Sequence, residues 1–115
     1  MIDVYTNIVY NVFIELRRKK AMIIGFDDPE TEKIFNQKFS KKLPSNIQRI
    51  ALRKLILIDN AESLNDPRVP PANRLEKLIG DRIGYYSIRV NNQYRIVFQV
   101  TVTGDFDHVS IVDYH

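Results

Sequence analysis

Apolar residues in the first half of the chain recur at helical spacing. Asp28 is a favourable N-cap and Pro29 suits the first helical position, so the sequence predicts a helix starting there. We expect it to end at Leu43, because a residue before proline is pushed out of the helical region. Its predicted apolar stripe consists of Ile34, Phe35 and Phe39.

A second helix is predicted over Ser45–Asn60, with Ser45 as its cap. Its apolar positions follow the helical period and are Ile47, Ile50, Ala51, Leu55 and Ile58. The polar positions predicted to face solvent are Gln48, Arg49, Arg53 and Lys54. The short connection predicts that the two helices pack as a hairpin.

The opening residues 1–21 are ambiguous. Val9, Val12, Phe13 and Leu16 fit a helical face, whereas the many Val, Ile, Tyr and Thr residues suit a strand equally well. We interpret the segment as a helix. The short apolar run Met22–Phe26 then predicts a strand.

The second half of the chain alternates apolar and polar residues, which is typical of β structure. The loop "SLNDPRVPPAN", with three prolines, precedes it. The predicted strands are Arg74–Ile79, Tyr85–Val90, Tyr94–Thr101 and a last one from His108 to the C-terminus, with a turn at Gly80–Gly84.

The register of the central hairpin follows from its faces. The apolar residues of both strands share one face only if the loop has an odd number of residues. A three-residue loop, Asn91–Gln93, with asparagine in the left-handed conformation, sets Val90 opposite Tyr94. Arg89 then stands opposite Arg95.

Two arginines side by side repel each other unless their arms diverge or an anion lies between them. Guanidinium groups bind phosphate oxygens in pairs, and Tyr85 on the same face could stack on a nucleobase. The alternative is that both arginines are simply solvated on an exposed sheet face. The paired cations alone leave these two interpretations open.

The chain ends in "DYH". Asp113 and His115 share one face of the last predicted strand, while Tyr114 points the other way. A histidine, with a reference pKa of about 6.5, can exchange a proton near neutral pH, and Asp113 could orient it. Cleavage of RNA needs a base, an acid and cations, so these residues are candidate catalytic groups; a terminus without function is the alternative. His108 is expected at the surface.

Composition narrows the classes of function. The 115 residues are 44% hydrophobic and 27% charged, which predicts one folded domain. The absence of cysteine excludes disulfides, thiolate metal sites and a cysteine nucleophile, and two histidines cannot form a zinc site alone. The net charge of +3 mildly favours an anionic partner. No run is long enough to span a membrane, and we expect a cytoplasmic protein.

Three motifs occur together in order: the "GDR" turn, the hairpin "YSIRVNNQYRI" and the terminal "DYH". With them, residues 22–115 resemble the HigB toxins of bacterial toxin–antitoxin modules, in the RelE/ParE superfamily. The resemblance implies an α+β fold in which two N-terminal helices pack on a curved antiparallel β-sheet. It divides the chain into an N-terminal extension, residues 1–21, of uncertain structure and a toxin domain, residues 22–115.

The resemblance also implies a function. Such toxins are metal-independent endoribonucleases that cleave messenger RNA on the ribosome, and a HigA-like helix-turn-helix antitoxin neutralises them. We therefore expect the ribosome, mRNA and an antitoxin as partners, and an oligomeric toxin–antitoxin complex. The helix Ser45–Asn60 is one candidate docking element for the antitoxin.

Site residues follow from the resemblance by position. Arg89 and Arg95 would bind the scissile phosphate, His115 would be the general acid or base, and Asp113 and Tyr114 would position it and the RNA. The residues expected to contact RNA without doing chemistry are Arg74, Lys77, Arg82 and Tyr85.

Two positions depart from the family pattern. Ile79 stands where many members have a lysine, and Glu76 where some have a histidine. Loss of a cation would weaken stabilisation of transition-state charge, although Lys77 could compensate. Ile79 therefore leaves an alternative open, a ParE-like toxin that binds and inhibits DNA gyrase without cleaving RNA.

Overall fold

A computed structural model describes residues 21–114; the helix predicted within residues 1–21 falls almost entirely outside this range, and so does His115. Two helices pack on a four-stranded antiparallel sheet, which confirms the predicted α+β fold. The helices are α1 (Pro29–Phe35) and α2 (Ser45–Asp59). The strands are β1 (Glu76–Lys77), β2 (Tyr85–Arg89), β3 (Tyr94–Val100) and β4 (Phe106–Asp113), in that order across the sheet.

Helix α1 begins as predicted and ends earlier. Asp28 caps it by accepting a hydrogen bond from the backbone N–H of Thr31 at 2.8 Å. The helix stops at Phe35 instead of Leu43, because Gln37 adopts the left-handed conformation, with φ of 62°, which ends the helical run. Phe39 therefore leaves the predicted apolar stripe and is 66% exposed.

Helix α2 starts one residue away from the predicted cap. Ser45 is its first helical residue, and the N-cap is Pro44, which has no side-chain capping bond. The predicted apolar face is buried at Ile47, Ala51, Leu55 and Ile58. Its polar face is only partly solvated, contrary to prediction. The Gln48 side chain bonds the backbone of the loop between the helices, because that loop would otherwise leave buried polar groups unpaired.

The predicted strand Arg74–Ile79 is reduced to the two residues of β1. It starts late because Arg74 is in the left-handed conformation, with φ of 48° and ψ of 59°. It stops early because a 3₁₀ turn follows at Gly80–Arg82. Gly80 and Gly84 bound the predicted turn with φ of 69° and 91°, values that glycine adopts without strain.

The predicted strand Met22–Phe26 is present only as two isolated parallel bridges to β4, Ile23 to Phe106 and Phe26 to Val109. Strands β2, β3 and β4 pair over most of their length, with a register irregularity between Val97 and Gln99. Because β4 lies between this segment and β3, the segment extends the sheet edge opposite β1.

One face of the sheet forms the core with both helices. Ile88, Ile96 and Phe98 on that face are fully buried. They cluster with Ile34 of α1 and Leu55 of α2. Side chains alternate across a strand, so the arginines of the hairpin belong to the opposite face. Within the described range, no helix is long and apolar enough to cross a membrane.

Candidate active site

The hairpin has the predicted register. Arg89 pairs with Arg95, and a hydrogen bond of 2.9 Å from the Val90 N–H to the Tyr94 carbonyl closes the loop. The loop is not built on a left-handed asparagine, contrary to expectation, since no residue from 91 to 93 has a positive φ. The Asn91 side-chain oxygen instead accepts hydrogen bonds from the backbone N–H groups of the following residues, an Asx turn.

Arg95 is not a solvated surface arginine. It is 7% exposed, and backbone and side-chain acceptors hold its guanidinium. The Nε–H donates to the Ser87 Oγ at 2.7 Å. Nη2 donates to the Arg74 carbonyl at 2.5 Å and the Ser87 carbonyl at 3.3 Å. A guanidinium group has five N–H donors, so these bonds fix its plane, and no described residue accepts a hydrogen bond from Nη1.

Tyr114 completes the setting of Arg95. The Arg95 Cζ lies 5.4 Å from the centre of the Tyr114 ring, within the range of a cation–π contact. The Tyr114 backbone N–H donates to the Gln93 carbonyl at 2.6 Å, which ties the end of the chain to the hairpin loop. The aromatic ring is thereby held against the buried guanidinium.

A polar pocket of about 130 Å³ opens beside these groups. Its lining residues are Arg74, Arg89, Asn91, Asn92, Arg95 and Tyr114. Arg89 donates a hydrogen bond to the Asn92 side-chain oxygen, so its arm is also oriented. Three arginines around one small polar pocket form an environment that suits an anion such as phosphate.

Lys54 brings a further cation to the site from helix α2. Its ammonium group donates to the Arg89 carbonyl at 2.5 Å, although the sequence predicted a solvent-facing residue. Burial lowers the pKa of Lys54, and the positive charges of Arg53, Arg89 and Arg95 lower it further. The lysine supports the carbonyl next to the arginine pair and adds to the positive field there.

Asp113 and Tyr114, which were also predicted to be catalytic, lie on opposite faces of the sheet. Asp113 pairs with Tyr94, on the opposite face from Arg95, and its carboxylate accepts a hydrogen bond of 3.0 Å from the Gln93 side chain. Tyr114 lies on the arginine face. His115 is outside the described residues, so its predicted role stays a prediction.

The predicted RNA-contacting residues lie around the arginine pocket. Arg74 lines it directly. Lys77 and Arg82 line a larger neighbouring cleft of about 390 Å³. Tyr85 shares the arginine face, and the Arg82 guanidinium covers its ring at 5.8 Å from the ring centre. Part of the surface expected to stack on a base is therefore already covered by Arg82.

The two positions that depart from the resemblance belong to the larger cleft as well. Glu76 and Ile79 both line it. A Glu76 carboxylate oxygen is 4.0 Å from the Arg95 Nη2, which is a distant ion pair. Ile79 is 85% exposed, so the apolar residue in the position of a lysine contributes little to the core.

A family model described as the RelE-like toxin of type II toxin–antitoxin system HigB matches residues 24–115. The chain belongs to the HigB-like toxin family. It is a toxin of a type II toxin–antitoxin system.

Relatives agree with the assignment to the HigB-like family. The chain is 42% identical over 79 residues to Toxin HigB-1 of Vibrio cholerae serotype O1, covering 68% of this chain and 83% of that protein. It is 48% identical over 58 residues to an uncharacterized protein of Haemophilus influenzae, covering 50% of this chain and 57% of that protein. The YoeB dimer structure from Staphylococcus aureus is similar at 25% identity and a TM-score of 0.50, covering 84% of this chain and 99% of that chain.

Sequence reasoning missed three residues of this HigB-like site: Ser87, Asn92 and Lys54. Ser87 carried a signal, because it alternates onto the arginine face between Tyr85 and Arg89. Asn92 lies in the loop directly beyond the arginines. Nothing in the sequence indicated the contact made by Lys54, because that contact depends on how α2 lies against the end of β2.

His108 is at the surface, as predicted, and makes a contact that the sequence did not indicate. Its Nδ1 is 2.7 Å from an Asp27 carboxylate oxygen, and its Nε2 is 3.8 Å from Asp107. The hydrogen bond with Asp27 raises the pKa of His108, and the charge of Asp107 acts in the same direction. The pair formed by Asp27 and His108 lies on the side of β4 that is farther from β1. Neither residue lines the arginine pocket.

Proposed function

We propose that this HigB-like toxin is a metal-independent endoribonuclease that cleaves messenger RNA bound to the ribosome and so blocks translation. The observation that carries the proposal is the fixed guanidinium of Arg95. It is buried, held in plane by Ser87 and Arg74, covered by Tyr114, and it lines a small polar pocket together with two further arginines.

A preorganised cation favours a reaction in which negative charge develops. Because protein groups already hold Arg95, its orientation does not have to be reorganised during the reaction. Arg89 reaches the same pocket with its arm oriented by Asn92. Two oriented guanidinium groups can therefore contact the non-bridging oxygens of one phosphate.

The reaction that fits this site is transfer of the phosphate to the neighbouring ribose hydroxyl. The 2′-oxygen attacks phosphorus, and the bond from phosphorus to the 5′-oxygen breaks. A base accepts the 2′-hydroxyl proton, and an acid gives a proton to the departing 5′-oxygen. The products are a 2′,3′-cyclic phosphate and a 5′-hydroxyl end, while Arg89 and Arg95 neutralise the phosphorane between them.

We assign one proton-transfer role to His115 on the basis of the family resemblance. It follows Tyr114, whose ring lies against Arg95, so the chain reaches the rim of the arginine pocket one residue before it. In this proposal Tyr114 positions Arg95 and the RNA. Asp113 acts indirectly, by holding the end of β4 against the hairpin loop through Gln93.

The proposed partners follow from membership of a toxin–antitoxin family. We propose a cytoplasmic site of action on the ribosome, and neutralisation by a HigA-like helix-turn-helix antitoxin in an oligomeric complex. Helix α2 is a candidate docking element, because Arg49 and Arg53 are exposed. Ile56, nearer the end of the helix, is an apolar residue that is 44% exposed. An acidic, partly apolar antitoxin segment would match this surface.

Primer extension on messenger RNA from cells briefly expressing the protein tests the proposal. Wild type should produce new 5′ ends within translated frames, and Arg95→Ala or His115→Ala should lower their yield by about 100-fold or more, as removal of a transition-state contact does. Arg68→Ala, which removes an exposed arginine in the loop between α2 and β1, is the matched control. Growth arrest without new ends would contradict the proposal and favour the gyrase-binding alternative, which gyrase-mediated DNA breakage would then detect.

A further inference from the structure

Two clefts meet at Tyr114. Tyr114 lines both the arginine pocket and the larger cleft of about 390 Å³. The residues of the larger cleft are Glu76, Lys77, Leu78, Ile79, Arg82 and Tyr114. Its volume lies within the range of about 300–1,000 Å³ that is usual for ligand-binding clefts. A nucleotide with its phosphate in the first pocket would bring a base to the second.

We propose that the larger cleft binds a guanine base beside the scissile phosphate, and that Glu76 recognises its N1–H and N2–H donors. The inference rests on the proposed function only in taking RNA as the ligand. It assigns base recognition to a residue that departs from the family pattern.

The position of Glu76 supports the proposal. A carboxylate in a site rich in arginines disfavours phosphate binding, and it is suited to hydrogen-bond donors instead. Its side chain is 50% exposed and lies 4.0 Å from Arg95, too far for a hydrogen bond. No described residue donates a hydrogen bond to it. When a phosphate occupies the Arg95 pocket, the distant attraction between Glu76 and Arg95 weakens and the carboxylate is available to a base.

The chemistry of the base edges selects guanine. A carboxylate only accepts hydrogen bonds, and two parallel bonds to it are stronger and more specific than one. Guanine offers two adjacent donors, N1–H and N2–H. Adenine and cytosine offer one amino group beside a ring nitrogen that repels the carboxylate, and uracil offers N3–H between two carbonyl oxygens. Uracil should therefore bind most weakly.

The remaining walls suit the flat faces of a base. Tyr114 offers an aromatic ring that is 41% exposed. Ile79 also lines the cleft and is 85% exposed, so it can contact a base without loss of core packing. Stacking on an aromatic side chain is tolerant of sequence, so Tyr114 supplies affinity while Glu76 supplies the choice of base.

The test is a nuclear magnetic resonance titration of the full-length purified protein with 5′-GMP, 5′-UMP and inorganic phosphate. We expect all three to shift the Arg95 Nε–H signal, and only the nucleotides to shift backbone amides of residues 76–82. GMP should bind about tenfold more tightly than UMP, the size expected for one good bidentate contact. In Glu76→Gln this preference should fall to about twofold or less, since the second acceptor is lost.

Glu32→Gln, an exposed carboxylate on α1, is the control and should keep the full preference. Equal binding of GMP and UMP by wild type, a preference that persists in Glu76→Gln, or no binding of either nucleotide would each overturn the inference. The readout is independent of RNA cleavage. A protein that fails to cleave mRNA but shows a Glu76-dependent preference would refute the proposed function and leave the base site standing.

Discussion

The guanidinium of Arg95 is charged and buried, a combination that is costly unless its N–H groups are paired. Ser87 and Arg74 provide that pairing on one edge of the group. The bonds that make burial of the guanidinium tolerable also fix the direction in which its Nη1 group points. Stability and preorganisation of the arginine pocket therefore depend on the same contacts.

Ser87→Ala tests this coupling. It removes the acceptor of the Arg95 Nε–H and leaves a buried donor unpaired, which should lower the free energy of unfolding by about 1–3 kcal/mol. Loss of orientation should lower kcat for mRNA cleavage by about 10- to 100-fold with little change in KM, because misplacement of a catalytic group mainly affects the transition state. Urea denaturation and cleavage of ribosome-bound mRNA measure the two effects.

Ser110→Ala is the matched control, since Ser110 is buried on the same sheet face opposite Val97 and no described arginine donates a hydrogen bond to it. A Ser87→Ala protein with wild-type kcat would show that Arg95 is oriented without Ser87. If the role of Ser87 were purely structural, Ser87→Ala would lower the free energy of unfolding and leave kcat unchanged.

The pair formed by Asp27 and His108 gives the protein a pH dependence of its own. Because the pKa of His108 is raised on folding, the folded state binds the proton more tightly than the unfolded chain. This stabilisation is fully present below the unfolded pKa of about 6.5 and is lost as pH rises through the higher folded pKa. Asp27→Asn should therefore lower stability at pH 5.5 and have less effect at pH 8.5, as measured by urea denaturation. An equal effect at both values would contradict this assignment.

The sequence predicted the pairing of Arg89 with Arg95 because strand alternation has a strict period of two residues. It could not predict that Arg95 is buried. The covering carbonyl belongs to Arg74, twenty-one residues earlier, in a left-handed conformation that ends the loop before β1. Such a contact depends on the tertiary path of the chain and has no local pattern.

At the scale of elements, Thr31 joins helix α1 to strand β4. Its hydroxyl donates to the second Asp28 carboxylate oxygen at 2.6 Å and accepts from the Ile111 N–H at 2.9 Å. Thr31 is fully buried. One side chain thereby links the N-cap of α1 to the sheet and sets the position of the helix over β4.

Thr31→Val keeps the shape of the side chain and removes both bonds. The buried Ile111 N–H would lose its acceptor, which should lower the free energy of unfolding by about 1–3 kcal/mol. Circular dichroism during urea denaturation measures the change. The neighbouring exposed residue provides the control, since Glu32→Gln should stay within about 0.5 kcal/mol of wild type. A stable Thr31→Val protein would show that α1 is held by apolar packing alone.

Helices α1 and α2 and strands β2 and β3 begin at the predicted residues, whereas β1 begins two residues later and β4 two residues earlier than predicted. Asp28 and Pro29 are strong local signals, and α1 starts where they indicate. Its end at Phe35 depends on Gln37 in a conformation that glutamine seldom adopts. The Gln37 N–H donates to the Ile34 carbonyl at 2.9 Å, and the next residue, Lys38, donates to the Lys33 carbonyl at 2.8 Å. The short β1 has the same origin, in the left-handed Arg74. At Arg74 the local preference is overridden together with a tertiary contact, because the Arg74 carbonyl accepts a hydrogen bond from Arg95.

In the molecule as a whole, the two faces of the sheet have different roles. One face packs on α1 and α2 around Ile88, Ile96 and Phe98, and the other carries the arginine pocket and the cleft beside it. The exposed residues of the pocket can therefore change without disturbing the core. Arg95 itself is the exception, because it is both buried and part of the site.

Single-turnover cleavage of a defined mRNA on purified ribosomes by wild type, Arg95→Lys and Arg53→Ala tests the role of the Arg95 guanidinium. Lysine keeps the charge and loses the planar fork that Ser87 and Arg74 hold. We predict that Arg95→Lys cleaves about 100-fold more slowly than wild type, that Arg53→Ala matches wild type, and that the product carries a 2′,3′-cyclic phosphate. Equal rates for wild type and Arg95→Lys would contradict the claim that the oriented guanidinium of Arg95 carries the function.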